Sequence, residues 1–229
     1  MKTIIQNVTD IDDDDKRGRT VMHDAAWRGH TDVLRFLLEN KASVTRTDHH
    51  DRTPLFFACL GKSEETVQFL LDKMLEQGLS IEDINKKTLR GRTPLRQAAS
   101  KGFTEVVQTL LDKIDSLDIV NAVDSRKGRN ALHCAAYRGK CAVVAALLKK
   151  GADSTIKDTN DKTALQICHE EWAIQETQDF EDTVSLLIKH DPAAAAKDSL
   201  LMTTAAVIGS RRILEELHKA EADLDKIDR

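Results

Sequence analysis

The sequence predicts an all-α array of stacked helix–turn–helix units, and three observations carry that expectation. First, a short polar opening recurs: Arg19-Thr20-Val21-Met22-His23, Arg52-Thr53-Pro54-Leu55, Arg92-Thr93-Pro94-Leu95, Arg129-Asn130-Ala131-Leu132-His133 and Lys162-Thr163-Ala164-Leu165. Second, small residues follow each opening, at Ala25-Ala26, Ala58-Cys59, Ala98-Ala99, Ala135-Ala136 and Ile167-Cys168, as helices that approach closely require. Third, the distances from Thr20 to Thr53 and from Asn130 to Thr163 are both 33 residues. A fixed period of that length marks units that each bury their apolar face only against a neighbour. A chain of this kind presents a surface; it seldom encloses a catalytic pocket.

The elements follow in order. Thr20, Thr53, Thr93, Asn130 and Thr163 stand where a side-chain oxygen caps a first helix, and Pro54 and Pro94 occupy the first helical position, where the missing N–H costs nothing. Gly29, Gly102, Gly139 and Gly209 fall where the first helix reverses. The second helices carry apolar pairs three and four residues apart, from Val33-Leu34 to Leu37-Leu38, at Val67 and Leu70-Leu71, at Val106-Val107 and Leu110-Leu111, and at Val143-Val144 and Leu147-Leu148. From Thr53 to Thr93 is 40 residues, which predicts a second helix lengthened by about two turns around Met74–Ile81. From Thr93 to Asn130 is 37, with residues added near Asp115–Ile119.

In the fifth unit no glycine marks the reversal, so the first helix is expected to run on through His169-Glu170-Glu171-Trp172, or the inner loop to be enlarged. In the sixth, Ala193–Lys197 is too short for a full connecting hairpin. Met1–Asp14 reads as the end of a preceding partial unit. Because Ala222–Arg229 reads as one unit closing and the next opening, the chain is expected to be an excerpt of a longer protein.

These motifs resemble ankyrin repeats. Thr53-Pro54-Leu55 through Ala58, Thr93-Pro94-Leu95 through Gly102, and Asn130-Ala131-Leu132-His133 through Gly139 carry the likeness. So do the closings Lys150-Gly151-Ala152-Asp153 and Glu221-Ala222-Asp223-Leu224. The resemblance implies a solenoid with β-hairpin fingers, about six repeats plus partial terminal units, in one array over 1–229. The expected boundaries are 15–47, 48–87, 88–124, 125–157, 158–197 and 198–227, with 1–14 ending a preceding repeat. It also implies that His23 and His133 bridge neighbouring repeats through hydrogen bonds. Asp12-Asp13-Asp14-Asp15-Lys16 has two readings: an enteropeptidase-type cleavage site, or native sequence with Asp15 in the repeat's first position.

Composition narrows the function. The chain has 229 residues, 41% hydrophobic and 31% charged, with aromatics at 4% and a net charge of −4. A net negative chain has no general attraction to nucleic acid or anionic lipid. Its apolar runs fall far short of the ~18 residues that a membrane span needs. Cys59, Cys134, Cys141 and Cys168 form no CxxC, so they read as reduced, space-filling thiols of an intracellular protein, cytoplasmic or nuclear. No metal, cofactor or catalytic residue is expected. His-Glu-Glu-Trp lacks the second histidine of the His-Glu-x-x-His motif.

In the family that the motifs resemble, partners dock on the concave side, made by the fingers and first helices. The residues expected there are Arg19, Arg52, Arg92, Arg129 and Lys162, with Arg90 and Lys127 on the fingers. Trp27, Arg28, Lys101, Tyr137 and Arg138 join them at the first-helix ends. The expected function is a non-catalytic scaffold, a monomeric domain binding another protein or an extended acidic peptide. Trp27 is either an anchor or partly buried against the preceding repeat. A second reading is a ligand-sensing array for a nucleotide or oligonucleotide, through Arg/Lys with Trp27 and Tyr137. Against it stand the few aromatics and the lack of a phosphate-cradling glycine-rich loop. An enzyme would need an acid–base pair converging around His169, Glu170 and Glu171.

Overall fold

The computed structural model describes residues 10–61 and 63–227, with side chains through Glu221. It divides into two compact units, one ending at Ala98 and the other beginning at Ala99. In the first unit lie α1 (Val21–Arg28), α2 (Thr31–Glu39), α3 (Pro54–Leu60), α4 (Glu64–Glu76) and α5 (Ile81–Ile84); the boundary falls inside α6 (Pro94–Lys101). In the second lie α7 (Thr104–Lys113), α8 (Leu117–Val120), α9 (Ala131–Ala136), α10 (Cys141–Lys149), α11 (Ala164–Gln175), α12 (Gln178–His190), α13 (Pro192–Ala196), α14 (Ser199–Ile208) and α15 (Arg211–Ile227).

First helices pack on first helices and second on second. In the first unit α1 packs on α3 and α2 on α4; in the second α9 packs on α11 and α11 on α14, while α7, α10, α12 and α15 follow one another. The small-residue pairs make the close approach possible. Ala25, Ala26, Ala58 and Cys59 are buried in the first unit, and Ala99, Ala135, Ala136 and Cys168 in the second. The apolar stripes of the second helices close the core: Leu34, Val67, Leu70 and Leu71 in one, Val106, Leu110, Val144, Leu147, Val184 and Leu187 in the other. Gly61 shows how tight the stacking is, since a Cβ there would come within 2.6 Å of the Trp27 carbonyl oxygen.

The caps follow the sequence reading with one exception. Thr53 Oγ1 accepts from the Phe56 N–H at 3.2 Å, Thr93 Oγ1 from Arg96 at 3.2 Å, Asn130 Oδ1 from His133 at 3.0 Å and Thr163 Oγ1 from Gln166 at 3.4 Å. Thr20 differs: its backbone N–H donates to His23 Nδ1 at 3.0 Å, and its hydroxyl also sits 3.0 Å from that nitrogen. Because Nδ1 accepts, the proton of the neutral ring is on Nε2, which donates to the Arg52 carbonyl oxygen at 3.1 Å. His133 makes the equivalent crossing, with Nε2 3.3 Å from the Lys162 carbonyl oxygen. Both histidines therefore bridge successive repeats.

Between helix pairs the chain makes tight turned fingers. Their bases close through Asp15 N–H to Arg19 O, Asp48 N–H to Arg52 O, Thr88 N–H to Arg92 O, Asp124 N–H to Arg129 O and Asp158 N–H to Lys162 O, at 2.9–3.2 Å. Among the described residues the hairpin character amounts to one isolated antiparallel bridge, Asp14 with Thr20. The tips are tied to each other: His49 N–H donates to Arg17 O and Leu89 N–H to His50 O in the first unit, and Thr159 N–H to Lys127 O in the second, at 2.9–3.0 Å.

Three irregular regions refine the expectations. The lengthening after the second repeat is one extra turn of α4, not two; Gly78 ends it and Ser80 then caps the separate short helix α5. In the fifth repeat the first helix does run on, as α11 of 12 residues, and Glu176 takes the left-handed conformation (φ 49°) where other repeats use glycine. After α12 no finger forms: Asp191 caps the short α13, and Asp198 caps α14 two residues beyond it. One expectation fails. Glu221–Leu224 is not a closing turn, because α15 continues through it to Ile227. The run lacks the glycine that lets Lys150-Gly151-Ala152-Asp153 turn, where Gly151 has φ 93°. The readings that fall on 1–9 and 228–229 lie outside the described residues.

Candidate interaction surface

Most of the cations that precede the cap residue are engaged within the fold. Arg19 bonds Asp15 at 2.9 Å and Asp24 at 3.1 Å. Backbone N–H groups of Arg19 and Arg17 bond the Asp15 carboxylate and hold it down at about 2. Arg52 Nε donates to Asp48 at 2.7 Å, and its guanidinium lies 4.5 Å from the Phe57 ring centroid. Asp48 is fully buried; burial pushes its carboxyl up, but Arg52 and the backbone N–H groups of Arg52 and His50 outweigh this and hold it below the usual range. In the second unit Arg129 Nε reaches Asp158 in the next finger at 2.9 Å, and Lys162 pairs with Glu170 at 2.7 Å. Asp158 follows the same logic as Asp48: burial raises it, and the Asn160 N–H and Arg129 lower it further. These residues are struts first.

The finger at 86–92 is built differently. Its sequence, Lys86-Lys87-Thr88-Leu89-Arg90-Gly91-Arg92, holds four cations and no carboxylate. The base position held by Asp15, Asp48, Asp124 and Asp158 in the other fingers is here Thr88, whose Oγ1 accepts the Arg92 N–H at 3.1 Å. An Asp oxygen does that work for Arg52, at 2.9 Å. Thr88 therefore keeps the turn and removes the charge. Against this finger, on its 45–53 side, lies a cavity of about 170 Å³ lined by His50, Arg52, Thr88, Arg90 and Arg92, with Phe56 and Leu60 as its apolar wall. Arg90 is exposed and Arg92 partly so. Lys86, Lys87, Thr88 and His50 were not singled out from the sequence. The available signal was the single Asp-to-Thr change in an otherwise repeated column.

The aromatic candidates lie in separate units. In the first, Trp27 is 48% exposed, with the Arg28 guanidinium 5.9 Å from its ring centroid. In the second, Tyr137 is flanked by Arg129 at 5.3 Å and Arg138 at 5.4 Å. Arg138, Lys101 and Lys127 are exposed.

Around the fifth repeat His169, Glu170 and Glu171 each face a different partner. His169 is buried, with Nε2 3.2 Å from Asp198, the cap of α14. Glu170 is held by Lys162, and Glu171 accepts from Gln175 at 3.3 Å. Burial pushes the Cys59 thiol up to about 12 and raises those of Cys168 and Cys141, leaving them poor nucleophiles at neutral pH. Among the described residues no helix is long and apolar enough to cross a membrane.

Comparison with known proteins agrees with the fold. The family model for ankyrin repeats (3 copies) matches residues 1–82 and 73–158. The B-cell lymphoma 3 protein homolog of Mus musculus is 28% identical over 179 residues, covering 65% of this chain and 39% of that protein. The human B-cell lymphoma 3 protein is 32% identical over 179 residues, with the same coverage. The neurogenic locus notch homolog protein 1 of Xenopus laevis is 31% identical over 151 residues, 66% of this chain and 6% of that protein. The chain thus spans well under half of the relatives it matches.

Proposed function

We infer, from the premise that this chain belongs to the ankyrin repeat family, that it is a protein-interaction module whose finger face binds an acidic segment of a partner protein. Interaction with other proteins is what the family's repeats do; the acidic partner and its docking face are the further step. One observation carries that step. The finger at 86–92 concentrates four cations without a carboxylate, in a chain whose net charge is −4. A cationic surface set against a negative background selects acidic partners and speeds their encounter. A peptide strand advances about 3.3 Å per residue, so alternate acids in an extended segment meet the cations at the finger base and tip.

The test is capture from native lysate with the intact chain and with a Lys86→Glu/Arg90→Glu variant, the bound proteins being identified by mass spectrometry. Both positions are exposed, so the variant keeps its core. Arg52 and Arg129 are poor choices, since reversing either sets a second negative charge beside Asp48 or Asp158. The expected result is a protein partner retained by the intact chain and lost in the variant. A partner held equally by both would remove the finger face from the reading.

A further inference from the structure

We propose that the crossing from His133 to the finger at 156–162 is proton-gated: the neutral ring holds its proton on Nδ1, and a hydrogen bond to Lys162 closes only when Nε2 gains a second one. The cap residue three positions earlier sets this behaviour. In the first unit, where that cap is a threonine, the bridging histidine behaves in the opposite way.

His23 and His133 hold the same place in their repeats, and each ring reaches a backbone carbonyl 29 residues further on. Their caps differ. Beside His23 the Thr20 N–H points at Nδ1, which must accept, so the neutral ring keeps its proton on Nε2 and bonds the Arg52 carbonyl. Beside His133 the Asn130 side chain takes that place. Its Oδ1 lies 2.6 Å from Nδ1 and also accepts the His133 backbone N–H at 3.0 Å. A carbonyl oxygen has two lone pairs and no proton, so Nδ1 must be the donor. In a neutral imidazole this leaves Nε2 bare, 3.3 Å from the Lys162 carbonyl oxygen, lone pair against lone pair. Turning the Asn130 amide over does not relieve this. Its NH2 would then face the His133 backbone N–H, donor against donor, and the cap of α9 would be lost. Nδ2, which is buried with no hydrogen bond among the described residues, would only be replaced there by the oxygen.

A proton on Nε2 turns the contact with Lys162 into an N–H···O bond and leaves the Asn130 bond in place. At His23 the same event sets a new N–H against the Thr20 amide. The groups around His133 pull in both directions. Burial opposes the charge, the Lys162 carbonyl and Asp158 favour it, Arg129 opposes it and the Ile156 backbone favours it, and the balance lies below 6.5. Arg129 and Asp158 are themselves paired at 2.9 Å, so their opposite effects offset in part. On α10 and α11, which pack on α9, His169 is bonded to Asp198, Glu170 to Lys162 and Glu171 to Gln175. Burial keeps the Cys141 and Cys168 thiols protonated, and Lys149 is exposed. Because the folded pKa of His133 is below the unfolded one, its proton costs folding free energy as pH falls below 6.5, even while it closes this crossing. Acid thus ties the Lys162 finger to α9 in the second unit and removes the Thr20 bond in the first.

Long-range 1H–15N correlation spectra of the full chain, with ring signals assigned through His23→Gln and His133→Gln, read the tautomers at pH 7.5. The expected result is Nδ1–H for His133 and Nε2–H for His23. Asn130→Thr should move the His133 proton to Nε2, and Asn130→Ser makes the same comparison with a smaller cap. On titration to pH 5 the Lys162 carbonyl 13C signal should shift downfield together with the His133 ring. In Asn130→Thr it should move far less, because the bond is already made. Nε2–H on His133 at pH 7.5 would overturn the gate. So would a Lys162 signal that ignores the titration of the ring, or a chain that unfolds with His133 still neutral. An Nδ1–H tautomer that persists in both cap variants would remove Asn130 as its cause.

Discussion

At the scale of single residues, identical letters in the repeat do different work. Arg52 and Arg90 are both finger arginines, yet Arg52 neutralises a buried carboxylate and Arg90 faces solvent. Arg52→Ala should cost about 1–3 kcal/mol, because Asp48 keeps its burial and loses its charged donor. Arg90→Ala should change stability by no more than about 0.5 kcal/mol. Urea denaturation of both variants checks the pair. His23 gives a pH prediction. Burial lowers its pKa from 6.5, against the raising effect of the Arg52 carbonyl. A proton on Nδ1 would also face the Thr20 N–H that this nitrogen now accepts. The folded pKa is thus below the unfolded one, and the stability this confers is complete above pH 6.5 and declines as pH falls below it. The urea midpoint should be lower at pH 5 than at pH 7.5, and His23→Gln should narrow that gap. An unchanged gap would mean that other groups set the acid limb.

At the scale of elements, the helix reversals separate conformation from packing. Gly209 has φ 80°, and a Cβ there would meet nothing within 4 Å, so Gly209→Ala should destabilise by about 1–2 kcal/mol through backbone conformation alone. Glu176 already pays that cost at φ 49°, and Glu176→Gly should raise the melting temperature, the gain being under about 1 kcal/mol after the added entropy of glycine. Calorimetry on the two variants should give shifts of opposite sign.

Regular elements were legible in the sequence because one cap residue, one small pair and one apolar stripe recur in each repeat. The long α11 was legible from a missing glycine. The break of the insertion after the second repeat into α4 and α5 was less so, because Gly78 and Ser80 were read as part of one helix. The continuation of α15 was concealed by the family-like Ala222-Asp223, whose turn needs a preceding glycine that Glu221 does not supply. The candidate surface was legible only in part. The register of the cations is visible in the sequence, but which of them face a carboxylate depends on pairs 4 to 29 residues apart, such as Arg52 with Asp48 and Arg129 with Asp158.

At the scale of the molecule, charge is sorted by what lies beside it. Net charge is −4, yet finger 86–92 alone carries four cations. Its charges sit at the surface and act over roughly 8 Å in physiological salt. Affinity for an acidic segment should therefore fall as salt rises. The Lys86→Glu/Arg90→Glu variant should flatten that dependence and slow association more than it speeds dissociation, which surface plasmon resonance at 50, 150 and 400 mM salt would read out.

The tip-to-tip hydrogen bonds have a bearing on proteolysis. Arg90 is an exposed cleavage point for trypsin, but the Leu89 amide beside it is tied to His50. A protease needs several residues of loose, extended chain, and an arginine on a tethered turn does not offer them until its finger detaches from the one before. The rate of nicking at Arg90 is then a clock for that detachment. Anything lodged between the two fingers should slow the clock without touching the scissile bond.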